Sequence, residues 1–82
     1  MDNKTVARIF NETADLMQVR AEDSFRIRSY QRAAEALESL PQQVSEIYKN
    51  EKALLAIPGI GKGMAANIVE LCTTGKLATG PA

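Results

Sequence analysis

With 82 residues, 10 Lys or Arg against 10 Asp or Glu, no histidine and a single cysteine, the chain is long enough for one small domain with a thin core. No apolar run approaches the roughly 20 residues that a membrane-spanning helix needs, and Cys72 alone excludes both an internal disulfide and a Cys/His zinc site. Formal neutrality argues against a tight binder of polyanions, because that affinity comes from neutralising phosphates, yet the charge is unevenly spread. Residues 1–51 carry seven basic and nine acidic groups, whereas residues 52–82 carry Lys52, Lys62 and Lys76 against Glu70 alone. Arg20, Arg26, Arg28 and Arg32 form a second basic zone, opposed locally by Glu22 and Asp23. Two small basic zones on a neutral body predict a limited, salt-sensitive anion footprint. The polar start, Met-Asp-Asn-Lys-Thr-Val, lacks the apolar centre of a signal peptide and predicts a cytoplasmic protein.

The first predicted helix is capped by Asp2 or Asn3 and runs to about Arg20. Val6, Ile9, Phe10, Leu16 and Met17 form its apolar stripe, with Thr13 and Ala14 bridging the gap. Glu12 and Asp15 fall off that stripe and read as solvated. Asp23 or Ser24 caps a second helix whose inward face is Phe25, Tyr30, Ala33, Ala34 and Leu37, ending before Pro41. A third, short helix covers Gln42 to Tyr48 with Val44, Ile47 and Tyr48 inward, and Asn50 punctuates the chain before the apolar segment Lys52 to Ile57.

Pro58 stops that segment, and Gly59 and Gly61 bracket Ile60, so the backbone is free to take positive φ on both sides of one apolar residue. A helix restarts near Lys62, with Met64, Ala65, Ile68, Leu71 and Cys72 at helical spacing. Cys72 therefore reads as a small buried hydrophobe. Gly75 is placed to cap this helix, Lys76 to complement its dipole, and Leu77 to pack back on the core. The turn between the two helices leaves N–H groups at the second helix's start without partners, which is a physical basis for holding an anion. No strand precedes the glycines and no Gly-Lys-Ser/Thr follows, so a nucleotide-binding loop is excluded. The bland alternative is a tight helix-to-helix turn with Ile60 capping the core.

The stretch Ile57-Pro58-Gly59-Ile60-Gly61-Lys62, followed by Ala65 and Ile68, resembles the helix-hairpin-helix motif, which holds a DNA phosphate on hairpin amides without reading base sequence. The resemblance extends further. Phe25-Arg26-Ile27-Arg28-Ser29-Tyr30-Gln31-Arg32-Ala33-Ala34, then Leu37, Leu40-Pro41, the hairpin and Thr74-Gly75-Lys76-Leu77 are similar to the amino-terminal 8 kDa domain of family X DNA polymerases, the bacterial members above all. The expected fold is all-α, a compact bundle of four to five short helices forming one domain over 1–78, with the hairpin unit at 52–74 and a disordered tail at 79–82.

That resemblance implies a partner, DNA that is gapped, nicked or 5′-phosphorylated, bound by a monomer without membrane association, in base excision repair and in the bacterial nucleoid. By position, Gly59, Ile60, Gly61, Lys62 and Gly63 would form the phosphate site, with Arg26, Tyr30 and Arg32 lining the 5′-phosphate pocket. It also implies a monovalent cation, Na+ or K+, on the backbone of Ile57 and Gly59, and no other cofactor. Animal members use a lysine on the second hairpin helix as a Schiff-base nucleophile against 5′-deoxyribose phosphate; here that position is Asn67, and a further basic position of the pocket is Gly63. The chain is thus expected to carry no catalytic residue, and a 5′-deoxyribose phosphate lyase and a protein-docking domain stand as alternatives. No palm-type carboxylate cluster is present for nucleotidyl transfer, and the end shortly after Leu77 fits a domain of a longer polymerase better than a standalone protein.

Overall fold

A computed structural model describes residues 1–78, which form five helices and, among the described residues, no strand. The first helix, α1 (Asn3–Val19), starts where Asp2 accepts a hydrogen bond from the Thr5 N–H at 2.9 Å. Bonding to Thr5 holds the Asp2 carboxyl below its usual range, so the cap's contribution is complete above that range and fades as pH falls through the lowered value. The buried stripe is Val6, Ala7, Phe10, Thr13, Ala14 and Met17. Ile9 and Leu16, expected as members of it, flank it half-buried. Thr13 tolerates complete burial because its hydroxyl donates to the Ile9 carbonyl at 2.7 Å.

The end of α1 is a Schellman motif. Ala21 N–H reaches the Gln18 carbonyl and Glu22 N–H the Met17 carbonyl, both at 3.0 Å, with Ala21 in the left-handed region at φ +54°. Glycine normally holds this position, since a Cβ costs free energy there.

Asp23 caps the second helix, α2 (Ser24–Ser39), accepting from the Phe25 N–H at 2.9 Å. Ile27, Tyr30, Ala33, Ala34 and Leu37 face inward, and the two alanines let α2 lie closely along α1. Phe10 and Tyr30 meet edge to face across this seam, centroids 5.6 Å apart at 85°. Phe25 departs from expectation: it is 75% exposed. At 100° per residue it lies 200° from Ile27, so the two cannot share the inward face, and Ile27 takes it.

The link from α2 onward is organised by one buried amide. Asn3 is 4% exposed; its Nδ2 donates to the Gln42 carbonyl at 2.6 Å and the Leu40 carbonyl at 3.4 Å, and its Oδ1 accepts from the Val44 N–H at 2.8 Å. The Asn3 N–H in turn donates to Gln43 Oε1 at 3.0 Å. Committing the Gln42 carbonyl and the Gln43 side chain to Asn3 delays the next helix, α3, to Val44–Ile47, shorter than the spacing predicts. Val44 is fully buried, while Ile47 and Tyr48 are half-buried against the core.

Asn50 caps α4 (Glu51–Leu55) through its side chain and the Ala53 N–H at 3.4 Å. The last helix, α5 (Lys62–Thr74), inserts Met64, Ala65, Ile68 and Leu71. Gly75 ends it at φ +83° with its N–H on the Leu71 carbonyl at 2.8 Å, and Leu77 folds back to 4% exposure. Cys72, expected inside, is half-buried, and this burial pushes its thiol up, so it stays protonated at neutral pH. All five helices contribute to one core. Among the described residues no helix is long and apolar enough to cross a membrane. The expected tail at 79–82 lies outside the described residues.

Replacing Asn3 by Ala leaves the buried Val44 N–H and the Gln42 carbonyl without their partner, and is expected to cost about 2–4 kcal/mol in urea denaturation. Ala21→Gly relieves the left-handed position at the α1 terminus, and a gain of about 0.5–1 kcal/mol in the same assay is the expected outcome.

Candidate nucleic-acid interface

The hairpin is built from a type II turn. Ile57, 6% exposed, anchors the end of the first limb. Pro58 supplies the fixed φ of the second turn position, Gly59 takes φ +94° at the third, and the Ile60 N–H closes the turn on the Ile57 carbonyl at 3.0 Å. Ile60 then drops into the core at 5% exposure. Of the two glycines free to take a positive φ, only Gly59 uses it: Gly61 is extended at φ −93°, ψ −176°. The reason is that Gly61 is the N-cap of α5, and a cap residue is extended.

The two glycines therefore serve different ends. A Cβ on Gly59 would stand 3.4 Å from the Arg32 carbonyl oxygen and 3.5 Å from the Ala36 Cβ, so this residue seats the turn on the backbone of α2. Nothing lies within 4 Å of a Cβ on Gly61 or Gly63. Having no side chain, Gly61 offers no capping oxygen, and the first-turn N–H groups of α5 look outward together with the positive end of the helix dipole.

That outward side is a groove of about 710 Å³. Arg26, Tyr30 and Arg32 of α2 form one wall with Phe25, residues 59–63 form the other, and Asn67 and Met64 close the floor. Every residue expected at the phosphate site from sequence thus borders one hollow. No carboxylate lines it, while Arg26, Arg32 and Lys62 do. Arg28, although it shares the cluster in sequence, lies on another side of α2 and does not border the groove. Lys76 stands beyond the far end of α5, roughly 20 Å along the helix from Lys62.

Tyr30 combines the two readings open to it. Its ring is core, 4% exposed overall, and its hydroxyl reaches the groove floor, where Asn67 Nδ2 donates to it at 3.0 Å. The same Nδ2 lies 3.5 Å from Met64 Sδ. Asn67, half-buried, is an amide whose nitrogen lone pair is delocalised, so it offers hydrogen bonds and no nucleophile. Arg26 spans one helical turn to Glu22, Nη1 to Oε1 3.4 Å, with the Arg26 side chain 50% and the Glu22 side chain 29% exposed. Phe25 was the groove residue that sequence reasoning placed elsewhere; its angular offset from Ile27 was the signal that could have found it.

The glycine roles separate experimentally. Gly59→Ala forces a Cβ into the left-handed region against the Arg32 carbonyl and is expected to lower stability by about 1–2 kcal/mol. Gly61→Ala, extended and open, loses only glycine's advantage over alanine at an N-cap and should cost no more than about 1 kcal/mol; thermal denaturation of both variants by circular dichroism checks the contrast.

Comparison with known proteins places this geometry in a family. The helix-hairpin-helix domain family matches residues 1–77. The chain is 33% identical over 75 residues to DNA polymerase lambda of Arabidopsis thaliana, a match covering 92% of this chain and 13% of that protein. It is 29% identical over 79 residues to the DNA polymerase/3′-5′ exonuclease PolX of Bacillus subtilis, covering 96% and 13%. The chain spans about an eighth of the length of these curated relatives. The turn that seats Gly59 on α2, the uncapped start of α5 and the match along the whole described fold agree: this chain belongs to the helix-hairpin-helix domain family, in the form found in family X DNA polymerases.

Proposed function

We propose that this domain binds DNA through its phosphate backbone without reading base sequence, and that it engages gapped, nicked or 5′-phosphorylated DNA during repair as part of a family X polymerase. One observation carries the reading: the uncapped start of α5 opens into a groove that gathers Arg26, Arg32 and Lys62 and has no carboxylate on its walls. A protein of zero net charge thereby presents a locally positive, concave surface, which suits a short stretch of phosphates and not a long track. Amides, guanidinium groups and an ammonium position a phosphate backbone and carry no base information. Phe25 supplies what a bare anion site would not need, an exposed aromatic face at the groove's edge on which an unpaired or terminal base can stack.

A sodium or potassium ion on the carbonyls of Ile57 and Gly59 belongs to the same proposal. The Ile57 carbonyl accepts one hydrogen bond, from Ile60, and retains a second lone pair. Neutral carbonyl donors suit a singly charged ion, and no group of three or more His, Cys, Asp or Glu among the described residues could hold a metal. Lyase chemistry is left out of the proposal. The groove's amine is Lys62, five residues and about 140° of helical rotation from Asn67, and the Asn67 amide cannot form an imine.

The test is fluorescence anisotropy with one-nucleotide-gapped DNA, with and without a 5′-phosphate, at low and near-physiological salt. Binding should depend on the 5′-phosphate and weaken with salt. Lys62→Ala should weaken it about tenfold for every sequence alike and make the salt slope shallower by about one. Equal binding with and without the 5′-phosphate would reduce the function to a generic backbone contact. No binding even at low salt would remove the DNA reading for this chain and leave protein docking in its place.

A further inference from the structure

Glu22 is the residue of the site that DNA binding, by itself, does not explain. A carboxylate beside a phosphate-binding cation should weaken binding, yet this one is held in place with some care. Its backbone is the last residue of the Schellman motif, fixed by the bond from its N–H to the Met17 carbonyl at 3.0 Å. The preceding Ala21 accepts a left-handed conformation, φ +54°, to deliver it there. Asp23 then caps α2 through the Phe25 N–H, so Glu22 and Arg26 sit one turn apart across the start of a helix whose origin is pinned. Glu22 itself does not border the groove, whereas Arg26 does; the ion pair at 3.4 Å draws the guanidinium toward the α1–α2 corner.

We propose that Glu22 is an attenuating latch on Arg26, holding the guanidinium until a phosphate takes it and so lowering the affinity gained through Arg26, an inference that rests on the DNA reading above. The physical consequence is selective. A ligand that engages Arg26 must displace the carboxylate and loses part of what it gains, while a ligand that leaves Arg26 alone loses nothing. A terminal phosphate carries about −1.5 to −2 charges and three strong acceptor oxygens, against one charge on a carboxylate, and it can take a guanidinium in bidentate fashion. A phosphorylated DNA end overcomes the ion pair most readily, and every DNA that engages Arg26, such an end included, binds more weakly by the cost of breaking it.

A double-mutant cycle on Glu22 and Arg26 tests this, using gapped DNA with and without a 5′-phosphate in the anisotropy assay. Glu22→Gln should tighten binding of the 5′-phosphorylated DNA about 2- to 5-fold, the scale of an exposed ion pair. In the Arg26→Ala background the same substitution should change binding less than about 1.5-fold. Asp15→Asn, which removes one negative charge on exposed α1, measures the effect of net charge alone and should stay well below the Glu22→Gln effect. Glu22→Ala, with melting curves for each variant, guards against a misleading glutamine. If Glu22→Gln leaves affinity unchanged, or tightens it equally with and without Arg26, the latch is overturned while phosphate-dependent binding by the original chain still stands. If the original chain shows no 5′-phosphate dependence, the DNA-end reading falls, and the latch falls with it.

Discussion

The approach of Gly59 to the backbone of α2 is the contact on which the site depends. A chain of two short helices and a turn has no reason to present its amides in any particular direction unless the turn is seated on something. Here the seat is the Arg32 carbonyl and the Ala36 Cβ, each within 3.5 Å of where a side chain at Gly59 would begin. Because the turn lies against the same helix that carries Arg26, Tyr30 and Arg32, the amide wall and the cationic wall are parts of one hollow. The absence of a single methyl group, at a residue that also needs positive φ, sets the distance between them.

Buried polar links hold that hollow in register with the core. Asn3 ties the start of α1 to the connection after α2 with bonds on both ends of its amide, and in a core this small each satisfied amide replaces apolar area that the chain does not have. Tyr30 plays the corresponding role at the groove: its ring packs edge-on to Phe10 while its hydroxyl accepts from Asn67 across to α5. Core packing and groove geometry therefore share a residue, and a change at Tyr30 reaches both.

The electrostatics are local. Ten basic and ten acidic residues cancel overall, but the acids are kept off the groove walls, and Glu22, which pairs with the groove cation Arg26, engages it from outside. Short-range charge of this kind, screened within about 10 Å at ordinary salt, governs what touches the groove more than what drifts toward the protein.

Much of this was legible in the residues themselves, because helix periodicity, capping side chains and Pro or Gly stops act over a few neighbours. The all-α class, the caps at Asp2, Asp23 and Asn50, the Gly75 terminus and the return of Leu77 all follow from such short-range rules. So does the hairpin, since Pro58-Gly59 specifies its turn almost unaided. What local rules could not decide was which face wins when two are apolar, and where polar groups at a distance in sequence find each other. Phe25 yielded the inside to Ile27 because one α1–α2 seam admits one of them. The start of α3 was set by Asn3, some 40 residues earlier, and Gly61 proved to be an extended cap and not a second strained glycine. The sequence by itself determined the helices, the ends of all but α3, and the chemistry available to a phosphate; the tertiary structure alone decided where α3 starts and that Arg26, Lys62, Asn67 and the α5 amides face one another, because both depend on how closely distant parts of the chain can pack.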